Sequence, residues 1–230
     1  MFLSELFSYI ATIDSASIDL DTDGDGIIAT DNYTQVINAI NLGLTDLYKE
    51  FPIKEKVMVV QLYAHITDYL LTRDFAETND SSTQPYKYIM DTTFDPFYDD
   101  IITILSISNE GGQEYPINQN NQLYSMYLPQ FNLVQHPFPD DENAIFIGYR
   151  AKHVTIATDA TPATQVVDIP ASLLSLLLLY VTHKLLAGIN REDSIAKLQE
   201  YTTLLLHTQA IGVFVAESSS NEKFDNNGWV

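Results

Sequence analysis

The chain has 230 residues, 46% of them apolar, enough to bury one large core or a core with an attached subdomain, and wholesale disorder is excluded. It contains no cysteine, which removes disulfides and thiolate chemistry. Eleven basic residues against 31 acidic ones give a formal charge of −20, so a surface that grips phosphate is not expected; the charge suits solubility, a basic partner, or a surface that DNA passes without sticking.

In chain order, the opening MFLSELFSYIATIDSASIDL carries no basic residue and does not resemble a signal peptide, so the expected location is intracellular or in a particle assembled there. Leu3, Leu6, Phe7 and Ile10 share one side of a short first helix over residues 2–11. The polar stretch that follows contains DTDGDGIIATDN, which resembles a calcium loop of the EF-hand or dockerin kind. Carboxylates at loop positions 1, 3 and 5 (Asp21, Asp23, Asp25) would surround a hard cation with oxygen. Gly26 at position 6 permits the sharp turn, and the carbonyl of Ile27 at position 7 supplies another ligand. Position 12 departs from the pattern: it is Asn32, with Asp31 one place early as the substitute carboxylate. The alternative is an acidic turn whose last carboxylate caps the next helix.

That helix has the clearest period in the chain, with Tyr33, Val36, Ile37, Ile40, Leu44 and Leu47 on one face and Pro52 as its stop. Thr30, Asp31 or Asn32 is placed to cap it. Val59, Leu62, Ile66 and Leu70 then predict a second helix over residues 55–73, antiparallel to the first, on which His65 and Asp68 share a face. AETNDSSTQP, residues 76–85, reads as a loop. The aromatic run Tyr86, Tyr88, Phe94, Phe97, Tyr98 either packs beneath that loop or meets another subunit.

The character then changes. TILSISN, FNLVQ and AIFIGYRAKHVTIAT read as strands, EGGQ as a hairpin turn, and NQLYSMYL as a short helix. Residues 169–208 read as two helices joined by a tight turn. Pro170 suits the first turn, Gly188 is placed to end the first helix, and Asn190 with Asp193 is placed to cap the second. The first is apolar nearly all round, so other elements should surround it; in the second, Ile195, Leu198, Tyr201 and Leu205 form one apolar face. It ends in AESSSNEKFDNNGWV, a polar tail with Phe224 and Trp229 as candidate anchors for docking on a partner.

The expected fold class is α+β. An N-terminal helix and acidic loop (residues 1–30) precede an antiparallel helical bundle (31–75 and 170–210), with a small β-rich subdomain inserted at 76–169 and an extended C-terminal docking tail at 211–230. Nucleophile elbows, phosphate loops, dinucleotide fingerprints and zinc-protease motifs are absent, so no enzyme is expected.

Several short patterns resemble tailed-phage head–tail connectors, the adaptor or ring proteins found below the portal in short-tailed phages, including crAss-like ones. ATDNYTQVINAINLGLTDLYKEFPI is similar to the family's opening helix, with its N-x-G-L and L-Y-x-x-F end. FDPFYDDIITILSISNEGGQEYPI is similar to its passage into the β insertion, and AIFIGYRAKH followed by VVDIPASLLSLLLLYVTHKLLAGIN to its strand-to-helix passage. The closing DNNGWV is similar to the ends of some members. The resemblance implies a structural virion protein, assembled in the bacterial host cytoplasm, that stacks as a homo-oligomeric ring, typically twelvefold. Its partners would be the portal and tail proteins; DNA would pass through without specific binding, and no membrane or catalysis would be involved. The other readings of the residues are a calcium-dependent binding module built on the DxDxDG loop, with calcium as its cofactor, and an acidic DNA mimic.

Overall fold

The structure, a computed structural model, describes residues 1–13, 20, 27–122, 124–139 and 143–211. Among these the chain is mixed α+β, with four α-helices and two three-stranded antiparallel sheets. It divides into two units: Met1–Ile53 with the chain from Val154 onward, and Lys54–His153. No helix among the described residues is long and apolar enough to cross a membrane.

The first unit is helical: α1 (Leu3–Ile13), α2 (Tyr33–Glu50), α3 (Leu174–Leu186) and α4 (Arg191–Ile211). Leu3, Leu6, Phe7 and Ile10 of α1 are buried, as their spacing predicts. In α2 Val36, Ile37, Ile40, Leu44, Leu47 and Tyr48 turn inward, and the helix ends at Phe51, whose N–H donates to the Leu47 carbonyl at 2.8 Å. Asn32 does not cap α2 with its side chain; its amide donates to the Leu20 carbonyl at 3.1 Å. Gly43 lets α2 and α3 approach closely, because a Cβ there would lie 2.7 Å from Leu177 Cδ1. Two side chains of α2 also hold the extended segments that precede α3. Asn41 exchanges hydrogen bonds with the backbone of Ile156, 2.9 Å each way, and the buried Tyr48 hydroxyl donates to the Asp168 carbonyl at 2.8 Å.

The α3–α4 turn follows the sequence in part. Asn190 Oδ1 accepts from the N–H groups of Glu192 and Asp193 at 3.1 and 3.3 Å, and its amide donates to the Asp193 carboxylate at 2.6 Å. Gly188 is not left-handed; Ala187 takes the C-cap in a helical conformation, and the N–H groups of Ile189 and Asn190 both return to the Leu186 carbonyl.

The second unit departs from the sequence reading at several places. The helix expected over residues 55–73 is absent: Glu55–Gln61 is strand β1 and Asp68–Leu70 is strand β2. Val59, Leu62, Ile66 and Leu70 fit a helical period, but Met58, Val60 and Leu62 also fit a period of two, and these three are the buried ones. Val57, Val59 and Val60 are stiff at χ1 and favour the pleat. β1 therefore pairs antiparallel with β6 (Ala144–Ala151), which pairs on its other side with β3 (Ile101–Asn109). The second sheet is β2, β5 (Leu133–Gln135) and β4 (Tyr127–Gln130). NQLYSMYL is accordingly not a helix; its last residues enter β4. Both sheets contribute to one core, with Val60, Tyr69, Ile107, Val134, Ile145 and Ile147 fully buried. The β-rich unit thus begins at residue 54 and ends at 153, where the sequence predicts 76–169. The hairpin turn after β3 is present, with Gly112 at φ +79°.

Candidate interaction surface

The α3–α4 hairpin is latched at its turn. His183 Nδ1 lies 2.9 Å from both the carbonyl and the Oγ of Ser194, and that hydroxyl donates to the His183 carbonyl at 3.1 Å. Further along, the Tyr201 hydroxyl donates to Asp46 of α2, and the Tyr201 ring meets that of Tyr180 edge-on at 5.4 Å. Burial, followed by the adjacent Asp46 carboxylate, pushes the Tyr201 phenol well above its ordinary value, so it stays a hydrogen-bond donor at any physiological pH. At the far end Gln209 donates to the Glu50 carboxylate at 2.8 Å.

Between these ties α4 is barely covered. Of its 21 residues only Ser194 and Tyr201 are buried, whereas α3 buries seven of its 13. The single apolar face expected for α4 is split. Tyr201 turns inward with Leu205 half-buried beside it, but Ile195 and Leu198 are 45% and 39% exposed, joined outside by Leu206 at 62%. On the opposite flank a shallow groove runs between the two helices, lined by Leu179, Ala196, Thr203, Leu204 and His207 together with Gln199 and Glu200. The helix thus exposes apolar side chains on two flanks.

Other predicted site residues fare differently. Asp21, Asp23 and Asp25 lie outside the described residues, as do Phe224 and Trp229. Ile27 is 61% exposed, and Asp31 is exposed in a 3-10 turn, Thr30–Asn32, leading into α2. The Leu20 carbonyl accepts from the Ala29 N–H at 2.8 Å as well as from Asn32. Among the described residues no group of three or more His, Asp or Glu could hold a metal ion. His65 and Asp68 do not share a helix: Asp68 starts β2, and His65 packs edge-on against Tyr86 at 4.8 Å. The aromatic run divides, with Tyr88 and Phe97 in the core and Tyr86, Phe94 and Tyr98 exposed.

Two polar knots in the β-rich unit join residues that no short motif links. Lys56 pairs with Asp95 at 2.9 Å and Asp100 at 3.3 Å, and the Tyr149 hydroxyl donates to Asp100 at 3.1 Å. Burial alone would lower the Lys56 pKa, but the bond to Asp95 and the charge of Asp100 outweigh it and hold the ammonium charged. Asp91 accepts from the Thr78 hydroxyl and N–H and from the Phe97 N–H, at 2.6, 2.9 and 2.9 Å. Burial raises its pKa, and these three donors more than reverse the effect, leaving the carboxyl below its ordinary value. The first knot ties loop 76–100 to strands β1 and β6, and the second holds the loop to itself.

No protein-family model matches the chain, and no curated protein matches it.

Proposed function

We propose that this chain is a structural subunit of a tailed-phage head–tail connector, a ring protein without catalytic activity that sits between portal and tail and extends the DNA channel. The observation that carries the reading is α4, a 21-residue helix tied down at three points and otherwise left open, with apolar side chains on two flanks. Such a helix suits a building block whose helical unit is completed by neighbours. The charge of −20 is consistent with a channel wall, since carboxylates repel the phosphate backbone and let DNA slide. The antiparallel bundle, the inserted β subdomain and the docking tail with Phe224 and Trp229 belong to the same reading, as do a typically twelvefold ring, the portal and tail proteins as partners, and the virion as location. The test is negative-stain imaging of the purified chain mixed with a portal protein from the same source. Decoration of the portal by a closed ring is expected; a bare portal at saturating concentration sinks the proposal.

A second reading is a calcium-dependent module at residues 21–31, in keeping with the hydrogen bonds that join Leu20 to Ala29 and Asn32. Bound calcium would raise the melting temperature by linkage, and the double variant Asp23→Ala, Asp25→Ala would abolish the rise. A calcium response that survives the double variant excludes this loop as the site.

A further inference from the structure

We infer that His136 is an acid-sensitive latch at the end of β5: its neutral ring holds the turn into Phe138, and protonation of Nδ1 in acid removes the acceptor and opens that turn. This device stands independently of the connector reading above. The β2–β5 ladder runs one step beyond β5, because the His136 N–H still donates to the Thr67 carbonyl at 2.8 Å. Side chains of a strand alternate between faces, so Val134 and His136 both turn inward, and both are buried, at 0% and 6% exposure. The backbone N–H of Phe138 donates to His136 Nδ1 at 3.1 Å. A ring nitrogen that accepts carries no proton, so the folded imidazole is the neutral tautomer with its hydrogen on Nε2. Phe138 itself is 59% exposed, and its ring meets that of Tyr124 edge-on at 6.4 Å. The latch thus fixes the segment that carries an exposed aromatic pair.

Acid acts on this arrangement in one direction. A proton on Nδ1 sets a second donor against the Phe138 N–H and places a positive charge in a buried ring. The elements packed around the ring bring little to offset that charge. Tyr115, after β3, meets it edge-on at 6.0 Å and offers a phenol, not a carboxylate. Asp68 on β2 and Tyr127 on β4 both stand opposite Gln135 in their ladders, so the alternation of side chains turns them away from the face that His136 occupies. Glu114, beside Tyr115, is exposed. Asp140, Asp141 and Glu142 follow in the chain and lie outside the described residues. Burial, opposed in part by a backbone hydrogen bond, accordingly holds the imidazole pKa below its ordinary 6.5. The unfolded chain then takes up this proton before the folded one does. The stability that His136 permits is complete above the unfolded value and is lost as pH falls through the lower folded value. The turn at 136–138 gives way first, because opening it lets the charged ring reach water.

The experiment is hydrogen exchange of the full chain followed by nuclear magnetic resonance, comparing about pH 7.5 with about pH 5 after correction for the intrinsic pH dependence of exchange. Exchange of the wild-type Phe138 N–H should accelerate in acid, by up to about tenfold for each unit that separates the folded from the unfolded value. The contact between the Phe138 and Tyr124 rings, read by the nuclear Overhauser effect, should weaken over the same range. His136→Asn keeps an acceptor oxygen near the place of Nδ1 and cannot titrate, so its Phe138 N–H should stay protected throughout. A wild-type turn as well protected in acid as at neutral pH overturns the inference. So does equal acid opening in His136→Asn, or a ring contact that survives the opening. Should His136→Asn fail to fold, the wild type decides alone. Long-range nitrogen–proton spectra near neutral pH must then show the ring hydrogen on Nε2, and the ring must titrate in step with the loss of Phe138 protection. A hydrogen on Nδ1, or a ring that titrates without opening the turn, overturns the latch.

Discussion

Helices α3 and α4 are consecutive, antiparallel and both rich in leucine, yet they have opposite fates. α3 is enclosed: Leu176, Leu177, Val181, Leu185 and Leu186 are each at most 1% exposed, and α2 comes close enough that Gly43 is needed at the crossing. α4 buries only Ser194 and Tyr201 and is half-buried or exposed elsewhere. Apolar content therefore does not decide cover. α3 is apolar on nearly every side, so any packing direction satisfies it. The apolar residues of α4 lie on more than one side, and a single neighbour can cover only one of them.

The largest effect that should separate the two helices is a cavity in α3. Leu177→Ala removes a side chain with no exposure that packs against Gly43, and we expect a loss of about 3 kcal/mol in the helical unit. Denaturant unfolding followed by circular dichroism at 222 nm checks it. A loss below about 1 kcal/mol would mean that α2 and α3 can close the gap, and that the contrast with α4 is weaker than burial suggests.

How much of this was legible in the sequence depends on whether one period or two fitted the residues. α1, α2 and the α3–α4 hairpin were legible because Leu3, Leu6 and Ile10, or Val36, Ile40, Leu44 and Leu47, fit only the helical spacing, and Asn190 with Asp193 marked where α4 begins. Residues 55–73 were misleading because KVMVVQL satisfies both periods; pairing with β6 across the chain settles the choice, and a partner some 90 positions away leaves no local mark. The exposure of Ile195 and Leu198 was hidden for a related reason. Spacing places them on the same side as Tyr201, but only the positions of α2 and α3 decide how wide a face is covered. The links from Tyr201 to Asp46 and from Tyr48 to Asp168 are long-range contacts of the same kind.

A smaller effect tests the main tie on the buried side of α4. The Tyr201 hydroxyl donates to Asp46, and both burial and that carboxylate raise its pKa above the ordinary 10.0. Tyr180 on α3 is shifted the same way, chiefly by burial and then by Asp46. For a group whose pKa is higher in the folded state, the folded protein binds more protons, so its contribution is complete below the unfolded value and is lost as pH rises above it. The helical unit should therefore lose stability as pH climbs beyond 10. Tyr201→Phe should cost about 1 kcal/mol at neutral pH, through the lost hydrogen bond, and should flatten the alkaline decline. An alkaline decline as steep as that of the wild type would show that Tyr201 is not the group responsible.

The smallest effect belongs to the outer side of the same helix, and it completes the contrast with α3. Leu206 is 62% exposed, so Leu206→Ala in dilute, monomeric protein should change unfolding free energy by no more than about 0.5 kcal/mol. The chemical change equals that of Leu177→Ala, and alanine is if anything the better helix former, so propensity cannot produce a loss. A cost near that of Leu177→Ala would mean that Leu206 is already packed against something within one chain. The flank would then be finished surface, and a second copy would have nothing left to cover there. A near-zero cost in the monomer, with weakened association at high concentration, is what a side chain reserved for a neighbouring copy must show.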